Sequence, residues 1–279
     1  MNPRNQHIDE TDFLIVDVET TGLSPDSGDR VCEIGAVKIR GGAVIESFGS
    51  LINPQRPISA GAYAVNRISP QMVADAPLFS EIAETIIRLL DESVVVAYNA
   101  PFDVSFINHE LRLAGHKPMK NVVADALVLA RQLLPGLGKY PQENVARILG
   151  IPFPVKHRAL EDVMVTAKIF FLFTSILKAN DLREISDLRR SDIRQILYER
   201  RMSIVKESME SGNNLWIKYL SPTNAEITDR VVTPKNLMIL GSAKQQPTHL
   251  LAFCHSAQGE RNFHIERILD VRIVTSSII

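Results

Sequence analysis

Residues Phe13-Leu14-Ile15-Val16-Asp17-Val18-Glu19 set two carboxylates into a run of apolar and β-branched side chains. The run predicts a buried strand, which needs other strands and helices to cover it. Side chains alternate along a strand, so Asp17 and Glu19 leave it on the same face. Two carboxylates held there repel each other and lose hydration. A divalent cation relieves both problems, because hard cations prefer oxygen ligands. A strand end open to water would serve equally well, and the pair alone does not choose between the two.

The rest of the chain suggests what surrounds that strand. Thr20-Thr21-Gly22 with Ser24-Pro25 breaks it. A second strand is expected over 30–40, Gly41-Gly42 turns the chain, and 43–52 returns as its partner. A helical period begins around Ala76, with Leu78, Ile82, Ile86 and Leu89 on one face. Val94-Val95-Val96 reads as a short buried strand. A helix from about Asp103 to Gly115, a strand at 121–123 and a helix at 126–134 follow. Further helices are expected over 141–149 and 159–179. Strands followed by alternating helices and strands indicate a mixed α/β sheet flanked by helices. Residues 181–211 are charged and helical in character, a linker or an appendage to either neighbour. From 212 onward, short strands separated by turn residues predict a small all-β barrel or sandwich. The domain boundaries expected are therefore 11–180, 181–211 and 212–279.

Other chemistry-bearing residues stand at element ends. Asp103 follows Asn99-Ala100-Pro101-Phe102 after a strand, and by itself fits a helix cap. Asp162 lies just inside an apolar helix, where an acid is ordinarily solvated in the first turn. His157 precedes it by five residues, on a segment that Pro152 and Pro154 mark as a loop. A lone histidine is more often structural than catalytic, so its significance depends on the residues around it.

The ordered set carries a resemblance. Asp17-Val18-Glu19-Thr20-Thr21-Gly22-Leu23 with Glu33-Ile34-Gly35-Ala36, then Asn99-Ala100-Pro101-Phe102-Asp103, then His157-Arg158-Ala159-Leu160-Glu161-Asp162, resemble the three motifs of the DEDDh family of 3′–5′ exonucleases. Proofreading exonuclease subunits, ribonuclease T and oligoribonuclease belong to that family. The resemblance covers about residues 11–178 and implies a ribonuclease-H-like fold. It implies that Asp17, Glu19, Asp103 and Asp162 hold two Mg²⁺ or Mn²⁺ ions and that His157 is the general base. The substrate implied is the 3′ end of single-stranded DNA or RNA, and the product a nucleoside 5′-monophosphate. Thr20, Thr21, Leu23 and Asn99 would position the strand. Phe102 and Phe106 would stack on a base or belong to the core. Where family members often carry a Gly-Ile pair, this chain has Asn66-Arg67-Ile68.

Residues 214–274 resemble a WYL domain, a small SH3-like or Sm-like barrel. The likeness rests on Ile217-Lys218-Tyr219, 229–234, 250–254 and 261–268, while Thr248-His249-Leu250 replaces the naming tripeptide. It implies a nucleotide or nucleic-acid ligand. Arg230, Arg261 and Arg267 would meet its phosphate, or would pair with acids such as Glu260, Glu266 or Asp270. A homodimer contact through this domain is a further expectation.

Charge neither forbids nor demands this reading. The 279 residues carry a net charge of −1, whereas extensive phosphate contact favours a basic protein. An enzyme gripping only terminal nucleotides needs few cations. The charge is also uneven: 17 basic against 20 acidic residues up to position 180, then 14 against 12. Cys32 and Cys254 form no CxxC pair, and a reducing cytoplasm is expected. The apolar run Ile169–Phe173 is too short to span a bilayer, so no membrane association is expected. Two rivals remain: a non-catalytic, ligand-sensing regulator on a nuclease-like scaffold, and an oligoribonuclease-type phosphodiesterase.

Overall fold

A computed structural model describes residues 6–153, 158–240 and 246–275. The chain divides into two compact units that interleave along the sequence. Residues 1–129, 145–174 and 183–189 build the first, and 130–144, 175–182 and 190–279 the second.

The first unit is a mixed five-stranded sheet of order β3-β2-β1-β4-β5, formed by β1 (Asp12–Thr20), β2 (Val31–Arg40), β3 (Ala43–Leu51), β4 (Ser93–Ala97) and β5 (Val123–Asp125). β1 runs antiparallel to β2 and parallel to β4, so the carboxylate-bearing strand is central, as expected. The β2–β3 hairpin turns on Gly41 and Gly42, both at positive φ (55° and 82°), which a tight right-twisted hairpin requires. β4 is buried along its whole length, as a parallel strand covered on both faces should be.

Helices sort onto the two faces by the strand period. Leu14, Val16 and Val18 join α3 (Phe79–Leu90) and α4 (Ala100–Leu113) in one core, with Phe79, Ala83, Ile86, Phe106 and Ile107. Phe13, on the opposite face of β1, meets Phe170 of α7 (Ala159–Ala179) at a centroid distance of 5.0 Å. Asp17 and Glu19 belong to that second face by alternation. α5 (Ala126–Leu133) and α6 (Gln142–Ile148) fall close to their expected places.

Three local differences have physical causes. α4 starts at Ala100, because Asn99 takes a left-handed φ of 70° and Pro101 fits the first helical turn. Asp103 is therefore inside the helix and does not cap it. The loop after β3 contains two short helices, α1 (Ala60–Asn66) and α2 (Pro70–Val73), too brief to leave a helical period in the sequence. β5 covers 123–125 where 121–123 was expected, since Asn121 spends its side-chain amide on the carbonyls of Leu90 and Ser93.

The second unit is all antiparallel in its sheet, of order β10-β6-β7-β8-β9. Its strands are β6 (Asn214–Leu220), β7 (Ile227–Met238), β8 (His249–Cys254), β9 (Gly259–His264) and β10 (Ile268–Val274). Leu215, Ile217, Val232, Leu250, Ala252 and Phe263 form its core. α8 (Ile193–Ser211) contributes Met202 and Val205 to that same core. No helix among the described residues is long and apolar enough to cross a membrane.

Candidate active site

The site is assembled by a close approach of backbones. Gly35 pairs with Asp17 across β1 and β2. A Cβ at Gly35 would lie 2.5 Å from the carbonyl carbon of Ala159, the first residue of α7. Only glycine lets the helix start rest directly on β2 beside Asp17. One turn into α7, Asp162 then reaches the strand end. Oxygen atoms of Asp17, Glu19 and Asp162 all lie within 4.8 Å of one another.

Asp103 comes from the first turn of α4. It is 2% exposed, and its Oδ1 accepts a 3.1 Å hydrogen bond from the backbone amide of Val18, the residue between Asp17 and Glu19. It thus holds the end of β1, and its charge acts on the neighbouring Asp17. α4 is in turn tied to β2 by Glu110, which accepts from Arg30 Nε (2.8 Å) and Nη2 (2.7 Å) and from the Val31 amide (3.0 Å).

Such crowding makes ionisation costly. Burial, reinforced by the charges of Asp103, Glu19 and Asp162, holds the Asp17 carboxyl well above the usual carboxylate range. Burial together with Asp162 and Glu33 pushes Glu19 to about 7, and burial pushes Asp103 to about 8 despite its bond from Val18. A hard divalent cation would relieve this repulsion by binding the oxygens in their deprotonated form. A testable consequence concerns stability. The folded protein binds these protons more tightly than the unfolded chain, so their stabilising effect is complete at low pH. It is lost as pH rises from the ordinary carboxylate values through about 7 and 8. Thermal unfolding in EDTA is therefore expected to move down by several degrees between pH 5.5 and 8.5, and Mg²⁺ or Mn²⁺ to reverse the loss at pH 8.5. An EDTA melting temperature independent of pH over that range would contradict the repulsion.

Side-chain hydrogen bonds tie the turn after β1 together. Thr20 Oγ1 donates to the Gly22 carbonyl (2.6 Å), and Thr21 Oγ1 to Asp29 Oδ1 (3.3 Å). Both threonines are buried, so they shape the turn. Leu23, at its tip, is 87% exposed and presents an apolar side chain to solvent. Asn99 is exposed at the start of α4, where its backbone amide donates to Asp125 Oδ1 (3.1 Å). Phe106 is wholly buried in the first unit's core, and Phe102, half-buried, packs against it at 4.9 Å. Phe106 therefore belongs to the packing and cannot stack on a base in this conformation. His157 lies outside the described residues.

Three further residues shape the site, and of these sequence reasoning singled out only Asn66, as part of a loop beside the substrate pocket. Asn66, in the Asn66-Arg67-Ile68 departure, is buried; its side-chain amide donates to the Thr20 carbonyl (3.2 Å), and the Ile68 amide donates to its Oδ1 (3.0 Å). Glu33 faces Glu19 across the β1–β2 ladder and takes both Nε (3.0 Å) and Nη2 (2.7 Å) of Arg158 on one oxygen.

In the second unit, Arg230 donates to Thr228 Oγ1 (3.1 Å) and Cys254 Sγ (3.7 Å), Arg261 to the Glu260 carbonyl (2.8 Å), and Arg267 to the Gly136 carbonyl (3.1 Å). Two of the acids expected as their partners pair elsewhere: Glu260 with Lys235 and Asp270 with Arg272.

Comparison with known proteins agrees with this geometry. A family model described as "Exonuclease" matches residues 14–170, and one described as "WYL domain" matches residues 200–273. The DNA polymerase III PolC-type of Caldanaerobacter subterraneus subsp. tengcongensis is 34% identical over 255 residues, covering 85% of this chain and 18% of that protein. The 3′-5′ exonuclease DinG of Bacillus subtilis is 36% identical over 178 residues, covering 64% of this chain and 19% of that protein. The chain thus spans less than a fifth of the length of either relative. Among solved structures, the exonuclease I of Methylocaldum szegediense shares the fold, with a TM-score of 0.54 at 17% identity over 96% of this chain and 65% of that one.

Proposed function

Because the chain belongs to the DEDDh exonuclease family, matched over residues 14–170, we propose that it is a metal-dependent exonuclease that shortens single-stranded nucleic acid from its 3′ end and releases nucleoside 5′-monophosphates. The observation that carries the proposal is the convergence of Asp17, Glu19 and Asp162 within 4.8 Å. A scaffold without chemistry has no need to gather repelling acids in one place. The 3′ polarity is supported by a relative whose name states it.

Asp17, Glu19, Asp103 and Asp162 would hold two Mg²⁺ or Mn²⁺ ions. Bound divalent cations supply a water of lowered pKa and offset the charge that builds on a scissile phosphate. The chain's own groups do the rest. Asp103, through the Val18 amide, fixes the strand end so that Asp17 and Glu19 keep their spacing. His157 would take the proton of the attacking water. The Thr20–Thr21 turn and the side chain of Leu23 would seat the terminal nucleotide, with Asn99 and Phe102 flanking it. The C-terminal unit would contact the nucleic acid or a nucleotide, through Arg230, Arg261 and Arg267.

The test is digestion of 5′-labelled single-stranded DNA, single-stranded RNA and blunt duplex, each with Mg²⁺, Mn²⁺ or EDTA. A metal-dependent ladder shortening from the 3′ end is expected, and the preferred sugar is read from the same gel. Internal cuts, or no cleavage with any metal, would overturn the proposal.

A further inference from the structure

Glu33 is a fifth acid beside the cluster, and its surroundings differ from those of the other four. It sits opposite Glu19 in the β1–β2 register and is buried. Its Oε1 accepts both bonds from the Arg158 guanidinium, and its Oε2 accepts from the Ala159 amide at 3.4 Å. Arg158 precedes α7, and its carbonyl accepts the Asp162 amide at 3.0 Å. An unbroken path therefore runs from the strand bearing Glu19, through Glu33 and Arg158, to the backbone of Asp162. The contact of Gly35 with Ala159 closes the same junction sterically.

We propose that the Glu33–Arg158 pair is a positioning device that sets metal affinity by fixing the first turn of α7, and with it Asp162, against the Asp17–Glu19 strand. The proposal rests on the metal-site reading above. Two features make a purely architectural role insufficient. A fork from one guanidinium to a buried carboxylate fixes direction as well as distance. The pair also ends one hydrogen bond from a residue that must meet two other carboxylates within 4.8 Å. Groups that orient metal-holding side chains typically change affinity by about 10–100-fold when removed. Arg158 also pairs its charge with Glu33, the acid opposite Glu19 in the ladder.

The experiment is calorimetric titration of Mn²⁺ into the 279-residue chain, its Glu33→Ala, Glu33→Gln, Arg158→Ala and Arg158→Lys variants, the Glu33→Ala/Arg158→Ala double variant, and Asp17→Asn as a control. Glu33→Ala and Arg158→Ala are expected to weaken Mn²⁺ binding by about 10–100-fold. Glu33→Gln, which keeps an acceptor for the guanidinium, should recover most of the loss. The double variant should bind no worse than the weaker single one, because both remove one interaction. In turnover assays kcat should fall with KM for the strand unchanged. Wild-type Mn²⁺ affinity in Glu33→Ala, with Asp17→Asn impaired, would overturn the positioning role. Full additivity in the double variant would do so too. Undiminished binding in Asp17→Asn would instead sink the metal-site reading itself. Should either alanine variant fail to fold, Glu33→Gln and Arg158→Lys still decide. Arg158→Lys keeps the charge but loses the fork, and wild-type affinity there would reject the geometry.

Discussion

Replacing Asp17 by Asn is expected to reduce hydrolysis by more than about 10³-fold while making the metal-free protein more stable at pH 8. Both effects come from the same charge. Asp17 shares its surroundings with Asp103, Glu19, Asp162 and Glu33, and each of these raises the cost of ionising it. The amide keeps the shape and removes the repulsion, so an EDTA-treated variant should melt at a higher temperature than the parent. The variant also loses one of the three oxygen donors that lie within 4.8 Å, and with it the purchase on a cation. Added Mg²⁺ should therefore raise the melting temperature of the parent strongly and that of the variant weakly. Wild-type turnover in Asp17→Asn would remove Asp17 from the site. Lower stability in EDTA would show that the cluster is not strained at this position. The paired readout matters, because a simple loss of activity could follow from misfolding, and a stabilised inactive protein could not.

What the sequence made legible follows from how local each feature is. The β1 carboxylates were readable because strand alternation is a local rule, and Phe13 to Glu19 obeys it. The strand order could be anticipated in part, since Gly41-Gly42 permits one kind of hairpin. Asp162 could be placed near Asp17 only through the family resemblance. The physical cause of that meeting, the bare backbone of Gly35 under Ala159, involves residues 124 positions apart. Glu33 illustrates the limit most clearly. Its side chain is an ordinary acid in a strand until β1 and β2 are registered, and the loop between them does not set the register by any turn rule. Once Glu33 faces Glu19, its need for a cation is plain, and Arg158 supplies one.

Asp103 shows a different failure of local reasoning. An acid after Asn-x-Pro at a helix start is a good cap, and that expectation is physically sound. Tertiary structure overrode it. Asn99 adopted a positive φ and Pro101 entered the first turn, which moved Asp103 a full step into α4 and turned it toward the Val18 amide. Phe106 was ambiguous for the opposite reason. Its spacing fits either a core stripe or an exposed stacking residue, and only the closure of α3 and α4 over the sheet decided for the core. The two short helices of the 60–73 loop bring Asn66 under Thr20, so the departure from the family pattern at 66–68 lies against the turn that carries Leu23.

Replacing His157 by Ala should slow the chemical step by roughly 10²–10⁴-fold, the range typical of a missing general base. The effect should differ in kind from that of Asp17→Asn. An imidazole that takes a proton from water need not hold the metal, so Mn²⁺ affinity by calorimetry and the metal-induced rise in melting temperature should both survive. The rate against pH should also change shape. With His157 present, turnover should fall on the acid side as the imidazole becomes protonated and can no longer accept the water's proton. At saturating Mn²⁺, which keeps the carboxylates ionised, that limb should vanish in His157→Ala. An added imidazole buffer should restore part of the rate in the variant and none in the parent. Arg158, the next residue in the chain, is held by Glu33, so Glu33→Ala should mimic part of the kcat loss while weakening the metal as well. An unchanged rate in His157→Ala, or a loss accompanied by weakened Mn²⁺ binding, would assign the proton to another base or place His157 among the metal-holding groups.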